Sequence, residues 1–310
     1  MNLRDIKSTM GLLEWSMLVL LSVLWGGSYF FVEIALLEWS PLLIVAVRVL
    51  IATLVIWIVV FAAGIRIPRA LPVWIAFFWL AIVNNIVPFL LIVWGQKEIA
   101  SGLAAILNAA APIFSVLVAG VWLKDEPITG AKMLGALLGL GGVAILIGPS
   151  ALSGLNANLL AQIAVLAAGL SYAVAGVYAR RFAGMDVDPI GVAAGQLLMS
   201  SVVMLVLVLA FESPAQLLTS TAKPWIATGI MAVFSTALAY ILYFRLIARA
   251  GATNAVLVTL LIPVTAILLG AVFLDEHLYW LHFLGMLVIG LGLSVIDGRL
   301  WRSPDSGREG

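Results

Sequence analysis

Arg48 is the one basic residue placed well inside an apolar run, and Glu33 is an acid near the end of the run before it. A guanidinium in hydrocarbon needs a counter-ion, access to water or a bound anion. Three placements follow: a buried pair with Glu33, snorkelling toward the nearer surface, or contact with a substrate carboxylate. The pair is the expectation. Asn84 and Asn85 fall midway along a third run, and Ser235 and Thr236 hold the matching positions of a later one. Asn108 and Thr259 form a second matched pair. Amides and hydroxyls at such depth face either another helix or a wet cavity. Trp25, Ser28, Tyr29 and Glu33 share one face of the first run by helical spacing. Trp79, Tyr172, Tyr178, Tyr240 and Tyr243 add aromatic area with polar handles. Small-molecule pockets mix these two chemistries. The candidate substrate-binding set is therefore Trp25, Ser28, Tyr29, Trp79, Asn84, Asn85, Asn108, Tyr172, Tyr178, Ser235, Tyr240 and Thr259. Pro88, Pro112 and Pro263 interrupt three runs and are candidate hinges, because proline removes a backbone donor.

Other chemistries are poorly served. There is no Cys, and His277 and His282 are the only histidines. No P-loop and no His-Glu-x-x-His occurs. No catalytic residue, metal site or cofactor is expected, and the chain does not read as an enzyme. Net charge is +1, which offers nucleic acid nothing. No Asp or Glu sits at the centre of a run, which favours neutral or zwitterionic cargo and a facilitator over a proton-coupled pump.

What must position these residues is a bilayer. Of 310 residues, 64% are hydrophobic and 10% charged, against about 45–50% and about 25% in soluble domains. Ten runs are long enough to cross as helices: 14–36, 40–62, 71–94, 99–122, 130–148, 158–180, 189–211, 222–246, 251–274 and 280–298. The fold class is an all-α polytopic membrane protein, ten helices around a central cavity. Arg4 and Lys7 precede a first run that reads as a retained helix, not a cleaved leader. With the N-terminus inside, 13 of 16 Lys and Arg fall on inner segments, so both termini are expected in the cytoplasm. Trp15, Trp39, Trp74, Trp94, Trp122, Trp225 and Trp280 lie near run ends, as an interfacial belt would.

The chain also repeats itself. Trp74-Ile75-Ala76 recurs as Trp225-Ile226-Ala227, an offset of 151, which also carries Pro112 to Pro263. Gly135 and Gly142 match Gly285 and Gly292, Pro41 matches Pro189, and Arg48 matches Gln196. Five runs per half is an odd number, so the second half enters inverted. The expected units are 1–149, 150–298 and a disordered cytoplasmic tail, 299–310. Asp125-Glu126 and Asp275-Glu276 are expected to cap the fifth and tenth helices, not to carry protons. Ala131, Gly135 and Gly139 make a small-residue stripe suited to close helix packing, with a homodimer face as the second reading.

Ala100-Ser101-Gly102, Pro112, Asp125-Glu126-Pro127 and Gly135, repeated as Gly251-Ala252-Thr253-Asn254, Pro263, Asp275-Glu276 and Gly285, and preceded by Trp25-Gly26-Gly27-Ser28, resemble the drug/metabolite transporter superfamily. The likeness is to its EamA-type ten-helix exporters and covers about residues 12–298. It implies a bacterial-type inner-membrane exporter of amino acids or other small metabolites, with helices one, three, four, six, eight and nine lining the cavity. The aromatic and amide groups favour aromatic or hydrophobic amino acids. Drug efflux is the alternative, and a lipid-handling protein a remote one. The partners expected are a small-molecule substrate and the lipid bilayer, with the protein a monomer or weak homodimer.

Overall fold

No water is available inside a bilayer to bond a peptide group, so an apolar run must satisfy its backbone within one helix. The computed structural model describes residues 11–123, 129–147, 157–213, 215–250, 258–277 and 279–297, and these contain helices and no strand. The helices are α1 (Leu12–Leu36), α2 (Pro41–Ala62), α3 (Leu71–Gly95) and α4 (Ser101–Trp122). They continue as α5 (Gly130–Ile147), α6 (Ala157–Ala179) and α7 (Pro189–Phe211). Next comes α8, in three parts (Ala222–Ile230, Met231–Leu238 and Ala239–Ala250). Last are α9 (Val258–Phe273) and α10 (Trp280–Asp297). A short helix, Ala215–Thr219, connects α7 to α8. Seven of the helices, α1 to α4 and α6 to α8, are long and apolar enough to cross a membrane. Shorter apolar stretches, Leu261–Phe273 and Trp280–Gly292, lie in α9 and α10. The expectations for Asp125, Glu126, the Gly251 motif and the C-terminal tail fall outside the described residues.

Local sequence sets the helix boundaries. Ser40 and Asp188 cap α2 and α7, accepting the N–H of Leu43 and Ile190, and each is followed by a proline in the first turn. That proline has no N–H to waste and a preset φ. Two helices carry a widened, π-helical segment at midspan: Ile82–Ile86 in α3 and Met231–Leu238 in α8. In α3 the cause is Pro88. Val87 N–H reaches back five residues to the Ile82 carbonyl. The next donor in that register would be residue 88, which has none. Ser171 of α6 fills the gap, its hydroxyl donating to the Val83 carbonyl at 2.7 Å. Pro112 and Pro263, equivalent in sequence, act differently. α4 is interrupted between Ser101–Asn108 and Ala111–Trp122, with Pro112 at the restart. Pro263 sits inside a continuous α9.

Contacts between the halves come in exchanged pairs. A Cβ at Gly142 would stand 2.8 Å from both Gly285 O and Ile289 N. At Gly292 it would stand 2.6 Å from Gly135 O and 2.7 Å from Gly139 N. Thus α5 and α10 touch backbone to backbone, antiparallel, through sequence-equivalent glycines, as small-residue stripes permit. Thr53 and Ser201, each twelve residues beyond its helix-start proline, hydrogen-bond to one another at 2.8 Å. Trp57 Nε1 donates to Ala194 O at 3.3 Å. Going forward along α2 therefore meets earlier residues of α7, so these two also run antiparallel.

Glu276 corrects one expectation. It does not cap α10. Its two carboxylate oxygens accept the Ser101 and Gly102 N–H groups at 2.7 and 3.1 Å, capping the start of α4 from the other half of the chain. Trp39 is corrected too: it is buried and packs edge-on against Trp225, with ring centroids 4.9 Å apart, instead of joining a surface belt.

α1 is tied to α8 at both ends. Arg249 Nε donates to Glu14 Oε1 at 2.9 Å. At the opposite end, the Glu38 carboxylate accepts the Thr221 hydroxyl, and Thr221 N–H donates to its other oxygen at 2.7 Å. The Thr221 hydroxyl beside it, then the Thr221 N–H and the Lys223 charge, hold the Glu38 carboxyl below the usual carboxylate range. A carboxyl lowered on folding contributes fully above its ordinary range, and the contribution is lost as pH falls through the lowered value. Glu38→Gln should therefore lower the unfolding temperature in detergent at about pH 7, with the difference from wild type closing below about pH 4. A difference that stays constant across that range would refute the tether.

Candidate substrate site

The widened segments of α3 and α8 bring their polar pairs together with α2 and α7. Arg48, in α2, is 7% exposed. Its Nε donates to Thr236 Oγ1 at 2.9 Å, and its guanidinium carbon stands 3.9 Å from the Phe89 ring centroid, a cation–π contact. The Thr236 hydroxyl donates in turn to the Met231 carbonyl five residues back, which leaves a lone pair toward Arg48. Beside this pair runs a closed chain of bonds. Asn84 Nδ2 donates to Gln196 Oε1 at 2.9 Å and, at 3.5 Å, to Tyr240 Oη. Tyr240 Oη donates to Asn85 Oδ1 at 2.8 Å, and Asn85 Nδ2 to Ser200 Oγ at 3.0 Å. Ser200 Oγ donates to the Gln196 carbonyl at 2.8 Å. In sequence terms Arg48 reaches α8 as its match Gln196 reaches α3.

Around this layer stand tyrosines. The side chains of Tyr29, Tyr172 and Tyr240 lie within electrostatic range of Arg48. Tyr172 packs against both of the large apolar clusters. Trp25 and Tyr243 meet at a centroid distance of 5.3 Å. Tyr29 is buried beside Asn108, whose Oδ1 is buried without a hydrogen-bond partner. Its carbonyl accepts Gln96 Nε2 at 2.9 Å.

The structure thus brings together Asn84, Asn85 and Tyr240, with Tyr29, Tyr172 and Asn108 close by. Ser235 is buried on the same widened segment, and Thr259 is half-buried on α9. Four expected placements differ in the structure. Arg48 and Glu33 make no ion pair. Arg48 bonds Thr236, while Glu33 lies by Gln96 and Glu276, with Oε2 buried and unbonded. Trp79 is 52% exposed beside Phe78, on the face of α3 opposite the buried Val73, Ala76, Phe77 and Leu80. Tyr178 packs into a separate cluster with Phe77 and Phe182, under the Arg181 guanidinium at 4.0 Å. Ser28 spends its hydroxyl on the Trp25 carbonyl at 2.6 Å.

Gln196, Ser200 and Phe89 lie outside the candidate set that the sequence offers. Gln196 carried a signal, as the repeat partner of Arg48. Ser200 and Phe89 carried none that separates them from ordinary helix-packing residues. The polar layer is built from α2, α3, α7 and α8, of which α2 and α7 lie outside the set that the resemblance implies.

Helices of bilayer length enclosing a buried polar layer make a multi-pass membrane protein. The profile of the EamA-like transporter family matches residues 13–148 and again 159–296, so the chain belongs to that family, one of membrane transporters. It is 27% identical over 276 residues to the "Uncharacterized inner membrane transporter YedA" of Escherichia coli K12, covering 87% of this chain and 85% of that one. It is 24% identical over 295 residues to the "Probable amino-acid metabolite efflux pump" of the same organism, covering 92% and 95%. A solved crystal structure of a protein aligns at a TM-score of 0.63 and 20% identity, over 92% of this chain and 95% of its own, so the two share a fold.

Proposed function

We propose that the protein exports amino acids, with aromatic or hydrophobic ones preferred, by alternating access across a bacterial-type inner membrane. We also propose that ten helices cross that membrane as two inverted five-helix repeats, residues 1–149 and 150–298, with both termini cytoplasmic. The observation that carries the transport site is the buried polar layer of Arg48, Asn84, Asn85, Gln196 and Tyr240, drawn from both halves at matching depth. The inverted repeat is supported by the family profile fitting twice. The antiparallel contacts of α5 with α10 and of α2 with α7 support it too. The efflux-pump relative supports the cargo class. The Trp25–Tyr243 pair and Tyr172 support a preference for bulky side chains.

Antiparallel, two-fold-related halves give alternating access a simple geometry. Exchanging the arrangements of the two halves turns an inward-open shape into an outward-open one around a fixed central layer. Glu14–Arg249 ties one end of α1, and Glu38–Thr221 ties the other. Because no carboxylate among the described residues contacts Arg48, we read the protein as a facilitator. The test is uptake of radiolabelled Trp, Phe and Leu into proteoliposomes of the purified protein, with empty liposomes alongside, with and without a pH gradient. Saturable uptake blocked by unlabelled amino acids and indifferent to the gradient is expected. Block by unrelated apolar drugs in place of amino acids would move the cargo to another class.

A further inference from the structure

Arg48 carries a full charge into the apolar body of the bundle, and the protein answers only part of it. Among the described residues, Nε alone of its five N–H groups has an acceptor, Thr236 Oγ1. One face rests on Phe89. It makes no ion pair with any described residue, and its Nη groups donate to none. Those nitrogens are not fully sealed, and Arg48 keeps 7% exposure. A desolvated guanidinium held by one neutral bond and one ring is undercompensated. Its free edge is the planar fork that matches a carboxylate with two parallel bonds. Tyr172 and Tyr240, in electrostatic range of the charge, bring hydroxyl groups to the same place.

We propose that Arg48 is the anion anchor of the transport site, so that the cargo carries a carboxylate taken by the free Nη edge. The inference rests on the transport reading above and narrows it. Selection is then by the acid group. Amines of the same shape, and cationic drugs, lose the one strong contact and meet a like charge instead. Phe89 and Thr236 serve as positioning residues, holding the fork in plane and turned toward the cargo.

The test uses full-length protein and three compounds that share a phenyl ring: phenylalanine, 3-phenylpropionate, which lacks the amine, and phenethylamine, which lacks the acid. Thermal stabilisation of the purified protein is read first, because it does not need flux. Both carboxylates are expected to stabilise wild type at concentrations at least tenfold below any effect of phenethylamine. Arg48→Gln should erase that ratio, and Arg48→Lys should keep the preference at reduced affinity. If Arg48→Gln does not fold, the wild-type ratio and Arg48→Lys still decide. Equal stabilisation by phenethylamine overturns the proposal, as does no stabilisation by any carboxylate, or a ratio unchanged in Arg48→Gln. Stabilisation by 3-phenylpropionate without amino-acid flux in proteoliposomes would leave the anchor standing and end the amino-acid reading.

Discussion

Gly292→Val should drive α10 away from α5 and lower stability by roughly 3 kcal/mol, at the upper end of overpacking costs. The added Cβ would lie 2.6 Å from Gly135 O and 2.7 Å from Gly139 N. Both are helix backbone, so neither rotates aside as a side-chain tip could. Relief requires the whole helix to retreat, which weakens contacts along its length. Gly142→Val meets Gly285 O and Ile289 N at 2.8 Å and should cost a similar amount. Gly290, on the same helix, has nothing within 4 Å of its notional Cβ. Gly290→Val is therefore the control, expected within about 0.5 kcal/mol of wild type. Thermal unfolding of the three variants in one detergent settles the matter. Equal losses at Gly290 and Gly292 would mean that helix packing is not what the glycines serve.

Asn85→Leu should separate fold from function. Asn85 is fully buried, and both ends of its amide are used, by Tyr240 and Ser200. Interhelical bonds in membranes average only about 0.6 kcal/mol, because the unfolded helices find other partners. Ser200 keeps its bond to the Gln196 carbonyl, and Tyr240 keeps its long contact with Asn84. Stability should thus fall by only about 1–2 kcal/mol. Flux should fall far more, by about tenfold or beyond, if the proposed site is right, since the amide ties α3 to α7 and α8 and small misplacements of a preorganised site are expensive. Thr53→Val breaks the buried Thr53–Ser201 bond outside the layer, with a similar structural cost and flux retained. Flux in Asn85→Leu that merely tracks folded protein would reduce the layer to interhelical glue.

Much of this is legible in the sequence. The bilayer, the repeat and the midspan amides come from composition and spacing, because apolar length and period are what a bilayer selects. The Ala131, Gly135 and Gly139 stripe predicts close helix packing, and the repeat matches Gly135 and Gly142 with Gly285 and Gly292, but neither says that the equivalents meet each other. The partners of charged groups were the least legible. Glu33 and Arg48 look like a pair because they sit at similar depth. Helix rotation aims Arg48 at Thr236 instead, and one sequence holds no signal for rotation across helices. Glu276 caps a helix 175 residues earlier in the chain for the same reason. The widened turn of α3 was half-visible, as Pro88. Its repair by Ser171 depends on which helix lies alongside.

The double tie of α1 to α8 separates two kinds of sensitivity. On one side of the membrane the tie is an ion pair, with Arg249 about half exposed, 48%, and so open to screening by the salt that bathes it. On the other it is a carboxylate held mainly by a hydroxyl and an amide, with a smaller share from the Lys223 charge, so it depends less on salt and answers to acid. Each end of the strut thus has its own handle: Glu14–Arg249 answers to both salt and acid, Glu38–Thr221 chiefly to acid.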